Sequence, residues 1–179
     1  IINADNGLSV VTTGENAHGV TASFGGRVIL GGNINIDVDS GKGSYAIGAA
    51  GRAALGSGSS PTVSGSGVFN VKGDIGAVMG GQVDLGMEDG SVFTGATRIG
   101  TYYDITDPQA IFPTMDSSLL ALWSNAPIYF PYMDQGTSLT LALNGANSVW
   151  NVTEDSNLTK LSLDGATVNL AYEAPGSSS

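Results

Sequence analysis

The sequence has no cysteine, one histidine (His18), and no apolar run approaching the length of a membrane-spanning helix. Without cysteine there are no disulfides; that fits a chain kept unfolded during export, and fits many cytosolic proteins equally. Bases are scarce: six stand against 16 acids, for a net charge of −10. Arg27, Lys42, Arg52, Lys72, Arg98 and Lys160 are dispersed singly, so no basic patch forms and nucleic acid is excluded as a partner. What the chain has instead is glycine, 27 of 179 residues, together with abundant Ser, Thr and Asn. Hydrophobic residues still make up 41% and charged ones only 12%, which points to a packed core in one domain rather than to disorder. A first residue of Ile1 and a last stretch of Gly176-Ser177-Ser178-Ser179 read as a piece of a longer protein, with 173–179 as a linker.

Short runs of alternating apolar and polar residues fill the first hundred positions. Arg27-Val28-Ile29-Leu30, Asn33-Ile34-Asn35-Ile36-Asp37-Val38, Val68-Phe69-Asn70-Val71 and Gln82-Val83-Asp84-Leu85 are examples, each bounded by Gly, Asn, Asp or Ser. Period-two runs between turn residues predict β-strands. One short helix is expected, with Asp116 capping Ser117 through Trp123 and Asn125 and Pro127 ending it.

The runs repeat. Val83 to Thr97 aligns with Leu139 to Thr153 if one gap is allowed; both read as alternating apolar residues, a polar-glycine turn, then Ser-Val-aromatic. Gly31 to Ile36 resembles Gly80 to Leu85 more loosely. Between the two good copies lie residues 101–136, which hold seven of the 13 aromatics and four of the six prolines and are read as an insertion. Without those 36 residues the spacing of Val83 and Leu139 falls from 56 to 20, the same spacing at which Leu141 and Leu143 recur as Leu161 and Leu163. A strand-turn-strand period of about 20 residues predicts a solenoid in which like residues stack from rung to rung, and a β-sandwich does not account for it. The expected organisation is rungs over 1–100, the insertion over 101–136, and terminal rungs over 137–172.

Trp150-Asn151-Val152-Thr153, Ser156-Asn157-Leu158, Leu161-Ser162-Leu163 and Gly165-Ala166-Thr167-Val168-Asn169-Leu170 resemble the last rungs of autotransporter passenger domains, the autochaperone or junction segment. Gly90 to Gly95 resembles the same rung motif, with Phe93 in the place where tryptophan is more usual. The resemblance implies a right-handed parallel β-helix. It also implies export through the periplasm to the bacterial cell surface or outer membrane, with release as a further outcome. The role implied is to promote folding and export of a surface virulence or adhesin passenger. Its partners would be the passenger's own C-terminal outer-membrane β-barrel and the rungs upstream.

The candidate stacking core is Phe93, Leu141, Leu143, Trp150, Val152, Leu158, Leu161, Leu163 and Val168, with Thr159 taken as an outward residue whose replacement does little. Tyr102, Tyr103, Phe112, Trp123, Tyr129, Phe130 and Tyr132 are a candidate surface for a host protein or for self-association; the competing expectation is that they cap the stack. No catalytic, cofactor or metal site is assigned, and no enzymatic activity. His18 lies among Asn16, Ala17 and Gly19 with no recognisable nucleophile motif nearby. An alternative reading is a fragment of a carbohydrate-active β-helix enzyme, for which Asp37 and Asp39 fall on one strand face as a carboxylate pair. Glu88-Asp89 and Glu154-Asp155 read as solvated corners, and the acceptor patterns at Asn151 and Asn157 as chance.

Overall fold

The structure is a computed structural model that describes residues 1–14, 17–39, 44–51, 59–100 and 136–170. Among the described residues fourteen strands form in chain order: β1 (Ile2–Ala4), β2 (Leu8–Thr13), β3 (Val20–Ser23), β4 (Arg27–Asp39), β5 (Tyr45–Ala50), β6 (Thr62–Lys72) and β7 (Asp74–Val78). They continue as β8 (Gln82–Met87), β9 (Val92–Thr94), β10 (Thr97–Gly100), β11 (Ser138–Asn144), β12 (Val149–Asn151), β13 (Lys160–Asp164) and β14 (Thr167–Asn169). There is no helix among the described residues. The expected helix at Ser117–Trp123 and residues 101–135 of the expected insertion lie outside them.

Every strand pair is parallel. One sheet of ten strands runs β13-β11-β8-β6-β9-β12-β14, with β4 joined to β6 and with β1 and β2 on β4; a second sheet of four strands runs β10-β7-β5-β3. The repeats set the register. Leu139 pairs with Val83 and Val149 with Val92, so the chain re-enters the same ladder after residue 136 with the single gap that the alignment requires. Leu141 pairs with Leu161 and Leu143 with Leu163. The looser match of Gly31–Ile36 to Gly80–Leu85 is corrected: Gln82 pairs with Thr62, which pairs with Arg27, so Val28, Val63, Val83 and Leu139 share one column.

The expected right-handed parallel β-helix, with separate faces divided by turns, is also corrected. β4 and β6 pass through the bend without a break. Residues 62–67 of β6 pair with β8 and residues 70–72 pair with β9, so what the repeat divides into two faces is one continuous sheet. That sheet curls around the core, and together the strands make a nearly closed, barrel-like parallel enclosure. Glycine lets the strand bend where a turn was expected. A Cβ on Gly65 would collide with the Leu30 carbonyl oxygen, and one on Gly67 with that of Gly32. Only bare backbone packs that closely, and an extended chain of glycines can kink and go on pairing.

The interior is apolar and stacked like on like. Val10, Ile36, Val71, Phe93, Trp150 and Val168 form one column across five ladders. Leu30, Leu85 and Leu141 share another and are fully enclosed. Each ladder satisfies the backbone of the next, and inward side chains within the stack are covered by their neighbours above and below, while those on the end strands are partly open.

Candidate functional site

The segment from Asn144 to Leu170 is where the sequence concentrates its candidate residues, and its geometry begins at a corner. Where β4 and β6 bend as strands, the later layers use a tight turn held by a buried serine. Ser91 Oγ donates to the Glu88 carbonyl at 2.5 Å and accepts the Phe69 N–H at 3.0 Å. Ser148 Oγ faces the Asn144 carbonyl at 2.6 Å and the Glu88 carbonyl at 3.0 Å. Both serines are fully buried, so these bonds meet the requirement that a buried hydroxyl be paired. Gly145 makes the turn with a φ of +91°, a conformation that favours glycine.

Trp150 follows on β12 and is 3% exposed. Its ring stacks on Phe93 with centroids 5.5 Å apart and planes 16° from parallel. Its Nε1–H donates to the Gly95 carbonyl at 3.0 Å in a buried bond. The side chain thus carries both the largest apolar surface of the block and a fixed polar contact. Phe93, Leu141 and Leu143 are enclosed completely, while Val152, Leu158 and Val168 are partly buried against the same core. Leu161 and Leu163 differ from the expectation of inward burial: they keep the predicted register but are 37% and 50% exposed, because among the described residues β13 ends the sheet and has a neighbour on one side only.

Between β12 and β13 no strand forms, and the side chains do a strand's work. Ser156 Oγ accepts the Thr97 N–H at 3.1 Å, and the Asn157 N–H donates to the Thr97 carbonyl at 2.9 Å. The Asn157 amide then acts as a peptide group: Oδ1 accepts the Ile99 N–H at 2.6 Å, and Nδ2 donates to the Ile99 carbonyl at 3.3 Å. Ser156 and Asn157 therefore cover the open edge of β10, the kind of edge that otherwise invites another chain. Thr159 completes the segment. Its N–H donates to the Leu139 carbonyl at 2.9 Å and its Oγ1 accepts the Leu139 N–H at 3.0 Å. Thr159 is exposed, as expected of an outward residue, yet both its backbone and its hydroxyl are bonded to Leu139, which the expectation that its replacement does little leaves out. The signal in the sequence was the run Ser-Asn-Leu-Thr itself, whose polar members have the side chains that can imitate a backbone.

Several of the charged and polar groups that the sequence offered as candidates have structural partners. Arg98 Nε donates to Asp74 at 3.0 Å, and its other nitrogen reaches Glu154 at 2.7 Å, tying the segment after β12 to the four-stranded sheet. Asp89 accepts both the backbone and the side-chain N–H of Asn147 at 3.0 Å. Those two bonds hold its carboxyl below the usual range. Asp37 is bridged to Lys72 at 3.2 Å, and the side chain of Asp39 lies outside the described residues. The Asn151 amide donates to Thr94 and accepts a bond from Asn169, and the Asn157 amide is held by Ile99, so the amides of both acceptor patterns are hydrogen-bonded. His18 packs on Tyr45, far in sequence from any of these acids. Among the described residues no group of three or more His, Cys, Asp or Glu is placed to hold a metal ion. Tyr102, Tyr103, Phe112, Trp123, Tyr129, Phe130 and Tyr132 all lie outside the described residues.

Comparison with protein families, with curated proteins and with solved structures finds no significant match for the chain.

Proposed function

We propose that the chain is a C-terminal passenger segment of the autotransporter kind, and that its last block is a folding template without enzymatic activity. The block 137–172 folds first and presents its strand edges to the strands before it: β11 to β8, and β12 to β9. Extending from a stable end, each added layer gains its ladder and its apolar contacts at once, as in any array stabilised by nearest neighbours. Folding at the bacterial surface then holds the exported chain outside the outer membrane. The partners on this reading are a downstream outer-membrane β-barrel and the passenger upstream.

The observation that carries the reading is Trp150. The motif's largest residue is buried, stacked on Phe93 of the preceding layer and bonded to Gly95, so the terminal block and the layer before it are joined by its most stabilising side chain. The test is Trp150→Ala in the full-length parent with its barrel, read by protease protection of the passenger on intact cells. Loss of the protected passenger is expected. A variant passenger that reaches the surface and resists digestion like the wild type refutes the template role.

A further inference from the structure

The only histidine occupies a position that backbone pairing leaves open. β5 begins at Tyr45, and its register with β7 slips there: Tyr45 pairs with Asp74 and Ile47 with Ile75, so Ala46 is the extra residue of a bulge. On the other side of β5, pairing with β3 begins only at Val20 with Ile47. His18 supplies the acceptor for the Tyr45 N–H: its Nδ1 takes that proton in a hydrogen bond of 3.0 Å, while the Gly19 N–H donates to the Tyr45 carbonyl at 2.9 Å. The imidazole also lies on the Tyr45 ring, with centroids 5.9 Å apart and planes 12° from parallel. Thr12 Oγ1 holds the same segment by donating to the Ala17 carbonyl at 3.3 Å.

An imidazole nitrogen accepts a hydrogen bond only while it carries no proton. The contact therefore fixes the neutral tautomer with hydrogen on Nε2, and the imidazolium would turn an N–H toward the N–H of Tyr45. We propose that His18 is a pH-sensitive latch, which pins Ala17–Gly19 to the start of β5 while neutral and lets go when protonated.

The surroundings favour the closed form near neutrality. Burial holds the His18 pKa below its ordinary 6.5, and no charged group among the described residues adds to that shift. The neighbouring elements contribute Tyr45 from β5, while β4 approaches Gly19 through the apolar Ile36 and Val38. Asp74 of β7 and Arg98 of β10 act on Tyr45 in opposite senses and are bonded to each other. Because the folded pKa is depressed, the unfolded chain takes the proton first. The latch's stabilisation is complete above about 6.5 and is lost as pH falls from there through the folded value.

A single histidine makes the test direct. Proton NMR of the intact chain follows one imidazole titration, and the Tyr45 amide is followed in parallel. The expected result is a His18 midpoint below 6.5, a Tyr45 amide shift with the same midpoint, and a fall of about tenfold in Tyr45 exchange protection across it, the factor that one ordinary hydrogen bond is worth. His18→Gln keeps an acceptor that does not titrate and should abolish the step. A midpoint at or above 6.5, a Tyr45 amide indifferent to the titration, or the same step in the Gln variant would overturn the proposal. Should the variant not fold, coincidence of the two wild-type midpoints decides alone.

Discussion

Replacing Trp150 by alanine should be the most costly single change in the terminal block, and the structure says why. The indole is 3% exposed, so truncation opens a cavity that its neighbours on β9 and β14 can fill only by moving backbone. Burial and cavity together cost about 3–5 kcal/mol for a large aromatic cut to alanine. Within that sum, loss of the Phe93 stack accounts for about 0.5–1.5 kcal/mol. Loss of the bond to the Gly95 carbonyl accounts for about 1 kcal/mol more. Trp150→Phe separates the parts: it keeps a ring in a column that already accepts Phe93, loses the N–H, and should cost roughly half as much as alanine. Equilibrium urea unfolding followed by circular dichroism measures both against a typical domain stability of about 5–15 kcal/mol. An alanine variant within about 1 kcal/mol of wild type would contradict the burial and the stacking alike.

Thr159→Val removes the acceptor of the Leu139 N–H and should destabilise by about 1 kcal/mol in the same assay, whereas Thr159→Ser, which retains the hydroxyl, should cost less. Asn157→Ala takes both side-chain bonds from Ile99. A loss of about 0.5–1.5 kcal/mol and faster amide exchange at Ile99 are expected, and an Ile99 amide as protected as before would show that β10 is covered some other way. Asp89 has a depressed carboxyl pKa, so its contribution is present above the ordinary value of 3.8 and is lost as pH falls from there through the folded value. Asp89→Asn should flatten that part of the stability profile below pH 3.8, and an unchanged profile would mean that the Asn147 contacts do not persist in solution.

The sequence by itself determined the pairing of the repeats. Val83 on Leu139, Val92 on Val149 and Leu141 on Leu161 were legible because parallel strands in register bring equivalent positions together, and a column of like side chains leaves a periodic trace. It also marked Trp150 and Phe93 as core, since large apolar residues at inward positions have nowhere else to go. What the tertiary structure decided was everything that depends on a neighbour from another part of the chain. The glycines at 31, 32, 65 and 67 read locally as breaks. They proved to be bends within β4 and β6, because each strand goes on pairing with the other through the kink, and so two expected faces became one sheet. Leu163 has the same identity and register as Leu143, yet it is half exposed where Leu143 is enclosed. A leucine's burial is set by what packs on both sides of its strand, and β13 stands at the edge. Ser156, Asn157 and Thr159 look like solvated residues in any local window. Their roles follow from the exposed backbone of Thr97, Ile99 and Leu139 beside them, a need that exists only once the sheets have formed.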